Sequence, residues 1–139
     1  PIKLVDGGAQ RRSFTFIDDA MDCMLKIIEN KDGVASRRIF NIGNPYMDFS
    51  IKELADMLVE MIGEYKGYED CAKNAKIETV SAKEYYGEGY QDVKYRIPSI
   101  KEAEEKLGWK PTTDLKTAIR LTLDYHLLGK DYELEQKRK

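Results

Sequence analysis

The chain has 139 residues, 42% of them hydrophobic, and this length and composition suit one ordinary domain with a moderate core. Its 23 basic and 25 acidic side chains nearly cancel, so no overall field would gather nucleic acid or an anionic membrane. No apolar run approaches the roughly 20 residues that span a bilayer, and the start lacks the regions of a signal peptide, which together predict a soluble, cytoplasmic protein.

The first 30 residues predict two extended segments and a helix. Residues 2–5 form an apolar strand that ends at the turn Asp6-Gly7-Gly8, and residues 12–15 form a second extended segment. Asp18 is the expected N-cap of a helix that runs to about Asn30, because apolar residues recur there at helical spacing.

The middle of the chain predicts two further strands on either side of a helix. Residues 38–43 alternate in polarity and are rich in strand formers. Ser50-Ile51-Lys52-Glu53 is a capping box, which predicts a helix from that point to about Tyr65. Residues 66–75 are polar and are expected to be irregular, whereas residues 76–80 are expected to form a strand.

The last third predicts a loop and two helices. Residues 81–98 form a long loop, and a second capping box at Ser99 opens a short helix that Gly108 closes from the left-handed conformation. Asp114 begins a final amphipathic helix that ends near Gly129. The three or four short strands and about four helices lack the regular alternation of a complete doubly wound sheet, so we expect the lesser part of an α/β protein.

The cluster Gln10-Arg11-Arg12 is a candidate anion site. It follows the glycine turn and precedes an extended segment, so a well-anchored backbone would present two guanidinium groups. Arginine suits a diphosphate because its planar donors pair with two oxygens at once. A solvated pair of surface charges is the alternative, and the surrounding sequence has to decide between the two.

Residues 85–96 are a candidate ligand loop, with four tyrosines, two glycines and an arginine. Tyrosine rings can stack on a base or sugar, and glycines let the backbone approach a ligand closely. Loops on a rigid scaffold often carry binding groups. An ordinary packed loop is the alternative.

Other reactive side chains favour structural roles. Cys23 lies in a helical pattern and predicts a buried free thiol, and no disulfide with the distant Cys71 is expected in a reducing compartment. His126, the only histidine, is expected to be structural or at the surface, so no zinc site is expected. Four methionines at helical spacing are expected to fill the core: Met21, Met24, Met57 and Met61.

Three motifs, taken in order, resemble the C-terminal third of extended short-chain dehydrogenases that act on nucleotide sugars. They are Arg-Ser-Phe-Thr-Phe-Ile-Asp-Asp at residues 12–19, Phe-Asn-Ile-Gly at residues 40–43 leading to Ser50, and Leu-Gly-Trp-Lys-Pro at residues 107–111. The resemblance implies an α/β fold class, namely the C-terminal substrate-binding part of a Rossmann-type fold.

A narrower likeness runs through residues 1–8, 41–45 and 85–93 and covers nearly the whole chain. These residues resemble the UDP-glucuronate decarboxylase domain of the bifunctional polymyxin-resistance proteins. The resemblance implies that bound NAD⁺ oxidises the sugar 4-hydroxyl, so that the carboxylate β to the new ketone leaves as carbon dioxide. The product would be UDP-4-keto-arabinose, a precursor of the aminoarabinose on lipid A.

The resemblance also implies roles for individual residues. A guanidinium corresponding to the family's proton donor falls on Arg96, and a UDP-contacting tyrosine falls on Tyr90. Because a guanidinium is a poor acid at neutral pH, we favour electrostatic stabilisation of the enolate by Arg96, with protonation through water. The family's UDP-contacting run falls on residues 3–12, which include Lys3, Gln10, Arg11 and Arg12.

The resemblance finally implies a longer enzyme. By the resemblance, the glycine-rich NAD loop, the catalytic Tyr-x-x-x-Lys pair and the acid/base carboxylate belong to an N-terminal part outside these residues, and the chain starts with Pro1 instead of Met. We therefore expect an N-terminal Rossmann half that binds NAD, a homo-oligomer of the complete enzyme and no turnover by this chain alone. Residues 1–130 would be the substrate-binding portion, and residues 131–139 a charged tail.

Alternatives stay open because Phe16, Asp18 and Asp19 differ from the narrower pattern. One alternative is a related nucleotide-sugar enzyme, such as a UDP-xylose-forming decarboxylase, an epimerase or a dehydratase. Another is a sugar-nucleotide-binding module without catalysis. In each case the expected ligand is UDP-glucuronate or a related UDP-sugar.

Overall fold

The computed structural model describes residues 1–89 and 92–129. The strands and helices in these ranges are, in chain order, β1 (Ile2–Val5), β2 (Arg11–Ser13), α1 (Ile17–Glu29), β3 (Asp48–Ser50), α2 (Ile51–Ile62), α3 (Glu69–Lys73), β4 (Ile77–Val80), α4 (Ala82–Tyr86), α5 (Lys101–Leu107) and α6 (Leu115–Leu128). This arrangement confirms the predicted mixed α/β class. None of these helices is long and apolar enough to cross a membrane.

The described residues divide into two compact units. The first unit contains residues 1–10, 50–89, 92–94 and 116–129, and the second contains residues 11–49 and 95–115. Whether the chain forms the single substrate-binding portion predicted for residues 1–130 stays a prediction, and residues 131–139 lie outside the described ranges.

The first unit contains a parallel strand pair and a capped helix. β1 and β4 pair from Ile2 opposite Ile77 to Val5 opposite Val80. At the start of α2 the Ser50 hydroxyl accepts a hydrogen bond from the Glu53 amide at 3.0 Å, and the Glu53 carboxylate accepts one from the Ser50 amide at 2.7 Å. Both halves of the predicted capping box are therefore present.

A buried polar link stabilises the first unit. The Tyr65 hydroxyl, just beyond α2, donates a hydrogen bond to the Asp124 carboxylate of α6 at 2.5 Å. Burial, reinforced by this hydrogen bond, raises the pKa of Tyr65. Arg120 of α6 pairs with Glu64 and lies 5.4 Å from the centre of the Tyr65 ring. These contacts fix α6 against the C-terminal end of α2.

The second unit has a small core between α1 and α5. Its fully buried members are Cys23 of α1, Ala103 of α5 and Trp109, with Ile100 nearly so. Partly buried apolar side chains packed against this cluster are Ile27, Phe40, Ile42 and Leu107. The free thiol of Cys23 is buried as predicted, and burial raises its pKa.

Asp19 joins α1 to the segment that follows α5. Its backbone carbonyl accepts a hydrogen bond from the Trp109 indole at 2.9 Å. Its carboxylate accepts bonds from the Thr112 amide and hydroxyl and, at 3.0 Å, from the Thr113 amide. Burial on its own would raise the pKa of Asp19, but the hydrogen bonds from Thr113 and Thr112 outweigh it and lower the pKa. The ionised carboxylate is therefore the form that this fold prefers.

Two predicted helix starts are wrong. α1 begins at Ile17, with Phe16 rather than Asp18 at the N-cap position and no side-chain cap. α5 begins at Lys101, and its N-cap is Ile100 instead of Ser99. Ile100 is buried in the core, so packing rather than capping sets this helix start. Gly108 closes α5 in the left-handed conformation, as predicted.

The strand predicted at residues 38–43 is absent from the described sheets. The alternation nevertheless separates the buried side of this segment from its exposed side, because Phe40 and Ile42 pack on the core whereas Ile39 is 90% exposed. A strand needs a partner as well as a pattern, and no described strand pairs with this segment. Short helices also replace parts of the two segments predicted to be irregular, with α3 in residues 66–75 and α4 in residues 81–98.

Candidate functional site

The turn after β1 belongs to the first unit and holds the beginning of the predicted UDP-contacting run. Lys3 on β1 is exposed. Gly8 has φ +70°, and a Cβ there would lie 2.9 Å from the Lys52 backbone nitrogen, so only glycine fits. The Gln10 side-chain amide donates a hydrogen bond to the Val5 carbonyl at 3.1 Å, which closes the turn.

The two arginines belong to the second unit, at the start of β2. The Arg11 Nε donates to the Asp48 carboxylate at 2.9 Å, and the Arg11 Nη2 donates to the Asp48 backbone carbonyl. The Arg12 Nη1 in turn donates a hydrogen bond to the Arg11 backbone carbonyl at 2.7 Å. Both arginines are half-buried. The two guanidinium groups are therefore held by β3 and by the backbone instead of extending into solvent, as a pair of solvated surface charges would.

Asn44, next to β2, forms hydrogen bonds with several polar groups, and the sequence did not predict this role. Its backbone carbonyl accepts from the Ser13 hydroxyl at 2.5 Å, and its amide donates to the Thr15 hydroxyl at 3.0 Å. The Asn44 side chain donates to the Thr113 carbonyl at 3.2 Å and accepts from the Tyr46 amide at 3.0 Å. Only 3% of Asn44 is exposed, so these bonds satisfy a buried side chain. In the sequence, Asn44-Pro45 indicates only that an extended segment ends there.

The tyrosine-rich segment is partly helical and largely exposed. The rings of Tyr85 and Tyr86, in α4, meet edge to face with centroids 4.8 Å apart, and both residues are more than half exposed. Tyr90 lies outside the described residues. Arg96 belongs to the second unit, is exposed, and forms no hydrogen bond or ion pair with any other described residue.

The structure thus pairs Arg11 with Asp48, and Arg12 with the backbone carbonyl of Arg11. It records no hydrogen bond between Arg96 and either of these arginines within the described ranges. Asp48 was not singled out from the sequence, because its partner lies 37 positions away. No grouping of three or more histidine, cysteine or acidic side chains suited to a metal ion occurs within residues 1–89 and 92–129.

The methionine prediction is wrong for α1. Met21 and Met24 are each 43% exposed, while Met61 of α2 is buried as expected. The exposed methionines belong to a stripe of large apolar residues, which we call the α1 apolar face: Ile17, Met21, Met24, Leu25 and Ile28. Helical periodicity identifies the apolar side of a helix, but it cannot tell whether that side faces this chain's own core.

The fold class and the site geometry together define an α/β chain of short strands and helices with a backbone-anchored arginine pair. Residues 2–122 match the family model described as GDP-mannose 4,6 dehydratase. The chain therefore belongs to this family of extended short-chain dehydrogenases, which confirms the family predicted from its motifs.

A solved structure of the PbgP3 protein from Burkholderia pseudomallei is also similar to the chain. The two are 38% identical in sequence and superpose with a TM-score of 0.77. The match covers 89% of this chain and 34% of that chain. The present chain therefore spans about one third of the length of this relative.

Proposed function

We propose that the chain is the substrate-binding portion of an NAD-dependent UDP-glucuronate oxidative decarboxylase, which produces UDP-4-keto-arabinose and carbon dioxide. The observation that carries the proposal is the anchored arginine pair at the start of β2. Family membership supports a nucleotide-sugar substrate, and the likeness of residues 85–93 supports the decarboxylase among the family's activities.

The arginine pair suits a diphosphate. A half-buried guanidinium with a fixed backbone loses little conformational entropy when it binds a phosphate oxygen. The guanidinium groups of Arg11 and Arg12 offer planar N–H donors, whose geometry suits the oxygens of a diphosphate ester. In this proposal Lys3, Gln10 and Tyr90 contribute further contacts to the UDP moiety.

Arg96 would act on the reacting sugar. Its side chain is exposed, and it is not engaged by any carboxylate among the described residues, so its charge is not neutralised there. A positive charge near the sugar carboxylate stabilises the electron density left on the ring when carbon dioxide departs. Arg96 thus serves as an electrostatic stabiliser rather than as the literal proton donor.

Within residues 1–89 and 92–129, the glycine turn after β1 does not fit an NAD site of the Rossmann type. Such a site places the pyrophosphate at a helix N-terminus directly after a glycine turn. Here the turn that contains Gly7 and Gly8 is followed by strand β2, not by a helix. We therefore assign NAD to the remainder of the enzyme.

Two features of the second unit support a partner formed by that remainder, the N-terminal Rossmann half. The α1 apolar face is exposed, and such a stripe normally packs against another element. Residues 38–43 show a strand pattern without a partner strand in the described ranges. The chain spans 34% of the related structure, which leaves room for a sheet that would pair with the segment and cover the face.

The proposal is tested with Arg96→Ala in the complete enzyme, with carbon dioxide release as the readout. We expect kcat to fall by about 100-fold to 1,000-fold, the usual effect of removing one stabiliser of developing charge. Lys106→Ala, which removes an exposed charge of the same unit outside residues 85–96, serves as the control and is expected to retain activity. Carbon dioxide release at the normal rate in Arg96→Ala would exclude the role proposed for Arg96.

A second candidate is another reaction of the same family on a nucleotide sugar. The match to a model named for a dehydratase favours it. Nuclear magnetic resonance of the products separates the candidates, because a dehydratase or an epimerase releases no carbon dioxide and a UDP-xylose synthase yields a reduced pentose. If the complete enzyme converts no UDP-sugar, while the isolated chain binds UDP-glucuronate with micromolar affinity, a binding module without catalysis is favoured.

A further inference from the structure

Asp48 accepts two hydrogen bonds from the Arg11 guanidinium. Its carboxylate Oδ2 accepts from the Arg11 Nε at 2.9 Å, and its own backbone carbonyl accepts from the Arg11 Nη2. About a quarter of the Asp48 side chain and a third of the Arg11 side chain remain exposed. The guanidinium is therefore fixed against β3 both by charge and by the direction of its donors.

Arg12 contacts Arg11 through the backbone. The Arg12 Nη1 donates a hydrogen bond to the Arg11 backbone carbonyl at 2.7 Å, so the Arg12 guanidinium contacts the backbone of the residue whose side chain binds Asp48. Adjacent side chains in a strand point to opposite faces, so neighbouring positions alone do not bring the Arg12 guanidinium to the Arg11 carbonyl. The chain of contacts runs from Asp48 through Arg11 to Arg12.

We propose that Asp48 is a positioning residue for the anion site of the arginine pair, which binds the diphosphate of the nucleotide sugar. This inference rests on the proposed function, since it assigns the diphosphate to Arg11 and Arg12. Asp48 does not touch the ligand. It sets the orientation of the Arg11 guanidinium before the ligand arrives.

The geometry of Asp48 suggests a variant that isolates its charge. Its Oδ1 is buried and accepts no hydrogen bond from the described residues, whereas Oδ2 faces Arg11. Asp48→Asn can keep an amide oxygen toward the Arg11 Nε and place its amino group where Oδ1 lies. The acceptor and the shape are retained, and the negative charge is lost.

The experiment measures the Kd of UDP by calorimetry in the complete enzyme. We expect Asp48→Asn to raise the Kd about threefold to tenfold, in the range for one ordinary hydrogen bond. Asp48→Asn in an Arg11→Ala background is expected to add no further effect, because Asp48 acts through Arg11. Glu102→Gln removes a carboxylate that pairs with Arg38 at 2.6 Å in the same unit, and this matched control is expected to leave the Kd unchanged.

A general loss of structure is separated from a loss of positioning by three readouts. Thermal unfolding reports stability, the ratio of kcat to KM effects reports whether binding alone is affected, and Asp48→Glu is expected to restore part of the affinity. If Asp48→Asn lowers only the unfolding temperature, or weakens UDP binding equally in the Arg11→Ala background, the positioning role is overturned. Arg12→Ala separates a failure of the diphosphate site from a failure of the role of Asp48. If Arg12→Ala binds UDP normally, the proposed diphosphate site is wrong. If Arg12→Ala binds UDP more weakly but Asp48→Asn binds it normally, only the positioning role of Asp48 is wrong.

Discussion

Asp19→Asn is the substitution whose effect on stability follows most directly from the structure. The Asp19 Oδ1 accepts two hydrogen bonds from Thr112, at 3.3 and 3.2 Å, and Oδ2 accepts one from the Thr113 amide at 3.0 Å. An asparagine side chain has one acceptor oxygen and one amino group. At least one of these hydrogen bonds is therefore lost, and the asparagine amino group faces an N–H or O–H donor of Thr112 or Thr113. Hydrogen bonds to a charged group contribute about 1.5 to 3 kcal/mol, so we expect the free energy of unfolding to fall by about 2 kcal/mol.

The unfolding of Asp19→Asn can be followed with a probe that the chain itself supplies. Trp109 is the only tryptophan, is 1% exposed, and donates its indole proton to the Asp19 carbonyl. Its fluorescence during urea unfolding therefore reports on the same contact region. Asp18→Asn, an exposed neighbour on α1, serves as the control and is expected to change the free energy of unfolding by less than about 0.5 kcal/mol.

The pH dependence gives an independent check on the role of Asp19. Its pKa is lowered by folding, so its carboxylate contributes stability above the unfolded value of 3.8, and that contribution is lost as the pH falls through the folded pKa. The difference between the wild type and Asp19→Asn should therefore shrink on acidification from pH 7 to below pH 3.8. A difference that stays constant over this range, or is absent at pH 7, would show that the charge of Asp19 does not stabilise the fold.

Three further outcomes are expected. Tyr65→Phe should lower the free energy of unfolding by about 1 to 2 kcal/mol, because it removes the donor to the buried Asp124; equal urea midpoints for variant and wild type would contradict this. Gly8→Ala should unfold at lower urea than Gly7→Ala, because both have positive φ but only the Gly8 Cβ meets backbone, at 2.9 Å; equal midpoints would remove the steric argument. Leu25→Lys should leave the unfolding of this chain nearly unchanged but destabilise the complete enzyme, and equal effects in both would argue against coverage of the α1 apolar face.

Features that depend on neighbouring residues could be predicted from the sequence. The capping box at Ser50 needs only a partner three positions away, and both of its hydrogen bonds are present. β1 and the end of α5 at Gly108 likewise follow from local backbone preferences. The similar pattern at Ser99 failed because the burial of Ile100, a tertiary contact, moved the helix start.

Features that depend on distant residues could not be predicted. Asp19 meets Thr112 across 93 positions, and Asp48 meets Arg11 across 37, so no local pattern in the sequence identifies either pair. The alternation at residues 38–43 agrees with the packing of Phe40 on the core, but an alternating pattern does not supply a partner strand. Residue type and position are enough to propose Arg11 and Arg12 as an anion site, whereas they do not point to Asp48, the carboxylate that binds Arg11.

The pairing of β1 with β4 also sets an order of events during synthesis. Ile2 lies opposite Ile77, 75 positions later, so the first strand leaves the ribosome long before its partner exists. At about 5 to 20 residues per second, the ribosome needs about 4 to 15 seconds to supply the missing strand. During that interval the apolar strand Ile2–Val5 has an open edge, to which a strand of another nascent chain could add.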